Sequence, residues 1–137
     1  MKIICRLMPI LALQLLFLFC PACAKQEPVS HFVIIPAGGQ SQISENETEK
    51  LRVTLDAVAA RYHMSKWKSG QEGIIRYYQP NSDYEIGFYA KRERTTLKVY
   101  ALPMTPSVAG TEKFRLFRQN LANILSQTFP GQVSLEK

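Results

Sequence analysis

Tyr84-Glu85-Ile86-Gly87-Phe88-Tyr89-Ala90-Lys91 and, after Arg92-Glu93-Arg94, Thr95-Thr96-Leu97-Lys98-Val99-Tyr100-Ala101-Leu102 decide the fold. Tyr84, Ile86, Phe88 and Ala90 alternate with Glu85, Gly87, Tyr89 and Lys91 in the first run; Leu97, Val99 and Ala101 alternate with Thr96, Lys98 and Tyr100 in the second. A strand sends successive side chains to opposite faces, so this period predicts one buried and one wet face, as in an antiparallel meander. Ile74 to Gln79 supplies a strand before them, joined through the turn residues Pro80-Asn81-Ser82-Asp83.

Working outward, His31-Phe32-Val33-Ile34-Ile35 is β-branched and aromatic, and reads as a first strand closed by Pro36-Ala37-Gly38-Gly39. No Gly-Lys-Ser/Thr follows the glycine pair, so it is a plain turn and not a phosphate cradle. Ser44 or Asn46 can cap a helix, with Glu47 or Glu49 three residues on as the return partner. Leu51, Leu55, Val58 and Tyr62 then share one helical face, predicting a helix over 45–64. Residues 66–73 are polar and read as a loop that carries Trp67; 103–110, with Pro103 and Pro106, reads as another loop.

Thr111 can cap a second helix whose stripe is Phe114, Phe117, Leu121, Ile124, Leu125 and Thr128, ending at Phe129-Pro130-Gly131. Val133-Ser134-Leu135 offers a short last strand. The expected order is β-α-β-β-β-α-(β). The fold class is therefore α+β, an antiparallel sheet of about three to five strands with two helices packed on one face.

The apolar run from Leu7 to Cys20 holds one strongly polar residue, Gln14, and follows Lys2 and Arg6. A cationic head before an apolar run of about 14 residues is the layout of a secretory signal, shorter than the roughly 20 residues of a membrane span. Ala22-Cys23-Ala24 fits cleavage after residue 24. Pro21-Ala22-Cys23, joined directly to the apolar run, resembles the lipobox of bacterial lipoproteins, with Cys20 where that family usually has an aliphatic residue.

The resemblance implies removal of residues 1–22 and acylation of Cys23; the other route removes 1–24. Either leaves a tether within 23–30 and one α+β domain over 31–137. Ala24, rather than an acidic residue, implies transfer to the periplasmic face of the outer membrane in a Gram-negative cell. A protein cleaved after Ala24 would instead be soluble in the periplasm or secreted.

All three cysteines, Cys5, Cys20 and Cys23, lie in this segment. The processed domain therefore has no disulfide framework, no cysteine-ligated metal and no cysteine nucleophile. Loss of Lys2 and Arg6 leaves fifteen cations against eleven anions, a net charge of +4. That mild excess suits anionic lipid and lipopolysaccharide surfaces; it lacks the dense basic stripe of a nucleic-acid binder.

His31 and His63 are the only histidines, without metal-ligand spacing, and no Gly-x-Ser-x-Gly elbow is present. His63 belongs to a helix C-terminus and His31 to a solvated position near the tether. No catalytic residues, metal site or cofactor is indicated, so the chain reads as a non-enzyme.

The wet face of the meander carries Arg76, Tyr89, Lys91, Lys98 and Tyr100, with Tyr77 or Tyr78 according to register; Trp67 is a further contact candidate. Tyrosines among cations combine rigid amphipathic area with charge, which suits capture of a protein or glycan. The leading expectation is a lipid-anchored envelope protein, an accessory or immunity-type interaction module. The alternative is a small-ligand or lipid carrier with a cavity lined by Phe88, Phe114 and Phe117.

Overall fold

A computed structural model describes residues 30–66, 73–79 and 85–137. The signal, the lipobox and its Cys23, the tether up to residue 29, Trp67 and the Pro80–Asp83 turn lie outside the described residues. The architecture is α+β. Strands β1 (His31–Ile34), β2 (Ser65–Lys66), β3 (Ile74–Gln79), β4 (Ile86–Arg92), β5 (Leu97–Pro103) and β6 (Val133–Glu136) form one antiparallel sheet in the order β2-β3-β4-β5-β1-β6. Helices α1 (Glu45–Arg61), α2 (Pro106–Ala109) and α3 (Glu112–Thr128) complete it. The two-residue β2 lies next to β3, where only a loop was expected.

The alternation in β4 and β5 works as the residues dictate. Phe88, Ala90, Leu97, Val99 and Ala101 are buried in the core, while Tyr89, Lys91, Lys98 and Tyr100 are only partly covered. Leu51, Leu55 and Val58 of α1 and Phe114, Phe117, Leu121 and Leu125 of α3 close over the inner face. Phe88 lies 6.0 Å from Phe117 and 4.9 Å from Tyr78, ring centre to ring centre, and Tyr62 meets Phe117 edge-on at 5.0 Å. The phenylalanines of the carrier reading are thus packing partners of the core. Phe114, at 6% exposure, also lies under the Arg118 guanidinium.

Ser44 caps α1 with a full capping box. Its side chain accepts from the Glu47 N–H, and the Glu47 carboxylate accepts from the Ser44 N–H at 2.8 Å. That carboxylate also accepts from the Ala37 N–H (2.9 Å), the Ser44 hydroxyl (2.8 Å) and the Gln132 amide (3.0 Å). Gln132 in turn donates to the Ile35 carbonyl at 2.7 Å. Glu47 therefore clasps the end of β1, the start of α1 and the turn before β6. Burial alone would push its carboxyl up; the donors from Ser44, Ala37 and Gln132 outweigh that and hold it below the ordinary carboxylate range.

Helix α1 ends at Arg61, three residues before the expected 64. His63 adopts φ 53°, the Met64 N–H donates to Ala59 at 2.8 Å and the His63 N–H to Ala60 at 3.2 Å. This is a Schellman stop built without glycine, which explains why the sequence pattern overran it. The expected 103–110 loop is also corrected. Pro103 closes β5, where it is the register partner of Ile86, and Pro106 starts α2, because a proline at the first helical position forfeits no intrahelical hydrogen bond. Thr111 caps α3 as expected, accepting from the Phe114 N–H.

Candidate partner-binding interface

The outer face of the sheet is organised by register. Tyr89 on β4 is the partner of Tyr100 on β5, Tyr100 of His31 on β1, and His31 of Glu136 on β6. Tyr77 on β3 is the register partner of Tyr89. Strands lie about 4.8 Å apart, close to aromatic stacking distance, so a row of rings in register stacks. The Tyr89 and Tyr100 rings are 4.5 Å apart and 8° from parallel; those of Tyr100 and His31 are 4.7 Å apart and 19° from parallel.

Both faces of the Tyr100 ring are thus covered by neighbouring rings. At this position the ladder presents ring edge and hydroxyl. His31 is not solvated as expected: its side chain is 14% exposed and its Nε2 lies 3.7 Å from the Glu136 carboxylate. Its stacking place in the ladder is what covers it.

Beside the ladder runs a second row, in which Lys91, Lys98, Val33 and Ser134 occupy partnered positions on β4, β5, β1 and β6. Val33 is buried although it points away from the helices. The lysines flank one carboxylate: Glu93 lies 3.0 Å from the Lys98 Nζ and 3.5 Å from the Lys91 Nζ. The hydrogen bond with Glu93 raises the Lys98 pKa, and the same bond, with that from Lys91, lowers that of Glu93. The cluster carries one net positive charge rather than two independent cations.

One expectation for this face is corrected, and of the two alternatives Tyr77 and Tyr78 the register puts Tyr77 opposite the outward Tyr89. Arg76 partners Ala90, a core residue, and its Nε lies 3.3 Å from Asp56 on α1. It belongs to the helix side. The register of β3 shifts between Ile74 and Arg76: Ile74 still partners the outward Lys91, and the extra residue of a bulge turns Arg76 inward. Tyr78 is likewise inward, 5% exposed, with its hydroxyl donating to Asp56. Through Arg76 and Tyr78, Asp56 fastens α1 to β3, and within α1 it also pairs with Arg52 at 3.2 Å.

The structure therefore brings together Tyr89, Tyr100, Lys91 and Lys98, removes Arg76 from the group, and leaves Trp67 outside the described residues. It adds His31, Glu136 and Glu93. Glu93 was within reach of a sequence reading, because it stands two residues beyond Lys91 in the turn that joins the two strands. His31 and Glu136 meet Tyr100 only through β1–β5 and β1–β6 pairing across most of the chain, for which no local signal exists.

Among the described residues no group of three histidine, cysteine, aspartate or glutamate side chains is arranged to hold a metal ion, and no helix is long and apolar enough to cross a membrane. Comparison with protein-family models, with curated proteins and with solved structures finds no match for this chain.

Proposed function

We propose that this protein is a small exported, lipid-anchored and non-enzymatic module of the cell envelope, and that the outer face of its sheet binds another envelope protein. The observation that carries this reading is the ladder Tyr89–Tyr100–His31 beside the Lys91–Glu93–Lys98 cluster. It is a rigid, amphipathic row whose side chains are already held in place, so little entropy is lost when a partner meets it. The closed stack favours a protein over a glycan. Sugar rings bind by lying on an open aromatic face, and both faces of Tyr100 are taken. Ring edges and hydroxyls suit the polar backbone and side chains of a protein surface. Anchoring follows the lipobox-like Pro21-Ala22-Cys23.

The test is capture from envelope extracts by tagged, processed protein. Tyr89→Ala/Tyr100→Ala removes two rigid aromatic contacts and should weaken capture by at least about tenfold, the usual scale for central aromatic contacts. Its thermal unfolding should remain a single cooperative transition. Undiminished capture by the double variant would reject the site. Palmitate labelling of wild type and Cys23→Ala tests the anchor: label in the first and none in the second is expected.

A further inference from the structure

The two edges of the sheet end differently. At one, β2 pairs with the last residues of β3. At the other, β6 is paired on one side only, with β1. One bond tells which of its backbone groups are left over. The Ile35 N–H donates to the Gln132 carbonyl at 3.0 Å, and the register runs on through Val33↔Ser134 to His31↔Glu136. Hydrogen-bonded and non-hydrogen-bonded pairs alternate in an antiparallel ladder. Gln132, Ser134 and Glu136 therefore turn toward β1, and Val133 and Leu135 turn their N–H and C=O groups to the open edge, where among the described residues nothing meets them.

That edge is open above and below. Leu135 is the register partner of Phe32, on the helix side, yet it is 55% exposed, so α3 does not overhang the strand. Ser134, on the outer side, is exposed as well. The strand Val133-Ser134-Leu135-Glu136 has no proline and no register shift to blunt it, and its carboxylate is drawn toward His31, 3.7 Å away.

The pattern of the edge chooses what pairs with it. Opposed residues of an antiparallel pair share a face, and hydrogen-bonded ones must both turn their backbone groups to the shared edge. A two-fold axis centred on Leu135 meets both conditions for β6 against itself. Leu135 then opposes Leu135 of the second copy and Val133 opposes Lys137, both as hydrogen-bonded pairs. Ser134 opposes Glu136, where its hydroxyl can donate to the carboxylate. The exposed leucines cover each other. On the outer face the row Tyr89–Tyr100–His31–Glu136 runs on into Ser134, Val33 and Lys98 of the second copy.

We infer that this protein forms a two-fold dimer by antiparallel β6–β6 pairing, with the six strands of each copy in one continuous sheet and both outer faces on the same side. The inference goes beyond the recognition proposed for the outer face and does not depend on it: the second copy lies beside that face and doubles it. The contact is short, so the association is weak and reversible.

The experiment uses the chain from Lys25 onward, which keeps the whole buried core, Phe32 to Phe129, and has no cysteine. Sedimentation equilibrium up to about 1 mM should show monomer and dimer, with a dissociation constant on the order of a few hundred micromolar. Leu135→Pro removes an N–H that faces the open edge and none that faces β1, and should weaken the dimer by at least about tenfold through two lost backbone bonds. Leu135→Ala keeps those bonds and should weaken it less.

Leu135→Cys should cross-link under oxidised glutathione, because the two Cα atoms of this pair lie about 5.5 Å apart, within disulfide reach. Val133→Cys should not, because the register leaves its two copies about 14 Å apart. A monomer throughout at about 1 mM, Leu135→Pro dimerising as tightly as Leu135→Ala, or equal cross-linking at the two positions would overturn the dimer. Tyr89→Ala/Tyr100→Ala should dimerise like wild type, so loss of partner capture and loss of the dimer are read separately.

Discussion

The inner and outer faces of β4 and β5 are made by the same residues of backbone and by alternate side chains, yet they are held in different ways. On the inner face Phe88, Ala90, Val99 and Ala101 are removed from water by two helices, and their contribution comes from buried apolar area. On the outer face Tyr89, Tyr100, Lys91 and Lys98 have no helix over them; they are ordered by one another, through ring stacking and a shared carboxylate. Removing an inner side chain leaves a void in a packed interior. Removing an outer one leaves a place that water fills. Large stability effects thus belong to the inner face, and the recognition proposed for the outer one should change with little change of stability.

That contrast can be broken most forcefully at Phe88, which is fully buried. Phe88→Ala should cost about 3–5 kcal/mol, read from the shift in urea midpoint; a cost below that of the tyrosine variants would invert the assignment of faces.

Glu47→Ala comes next. It strands the N–H groups of Ala37 and Ser44 that the carboxylate now accepts, and should cost about 3 kcal/mol in the same measurement. The clasp also sets an acid limit. The Glu47 carboxyl sits below its ordinary value of 4.5 in the folded chain, so its stabilisation is complete above that value and is lost as pH falls through it toward the folded pKa. Urea midpoints of wild type should fall between about pH 6 and about pH 3 more steeply than those of Glu47→Gln. Equal slopes would remove Glu47 from the acid response.

Tyr100→Ala should cost only about 1–2 kcal/mol, the scale of two stacked contacts, while the proposed partner capture should weaken, though by less than in the double variant. The smallest effect is expected at His63, exposed and left-handed at the end of α1: His63→Gly should raise stability by about 1 kcal/mol, because glycine adopts that conformation without steric cost.

Much of this arrangement was legible residue by residue. The Ser44–Glu47 capping box, the Thr111 cap and the stripes of α1 and α3 are local patterns, and each appears where its spacing places it. The stop of α1 was not legible, since a histidine does the work usually given to glycine. Arg76 was misplaced because a bulge carries no reliable signature in one strand, and because a charged side chain on a meander is expected to face water unless its partner is known. Its partner, Asp56, stands on another element.

The amino-acid order alone settled that β4 and β5 have an inner and an outer face, because side-chain direction along a strand follows from backbone geometry and needs no neighbour. Only the assembled sheet decided what the outer face is. Placing β1 between β5 and β6 puts His31 against Tyr100 and Glu136 against His31, and turns separate polar residues into one stacked row. Strand order and register join segments far apart in the chain. They are chosen by the total burial and hydrogen bonding of the whole fold, which no local stretch contains.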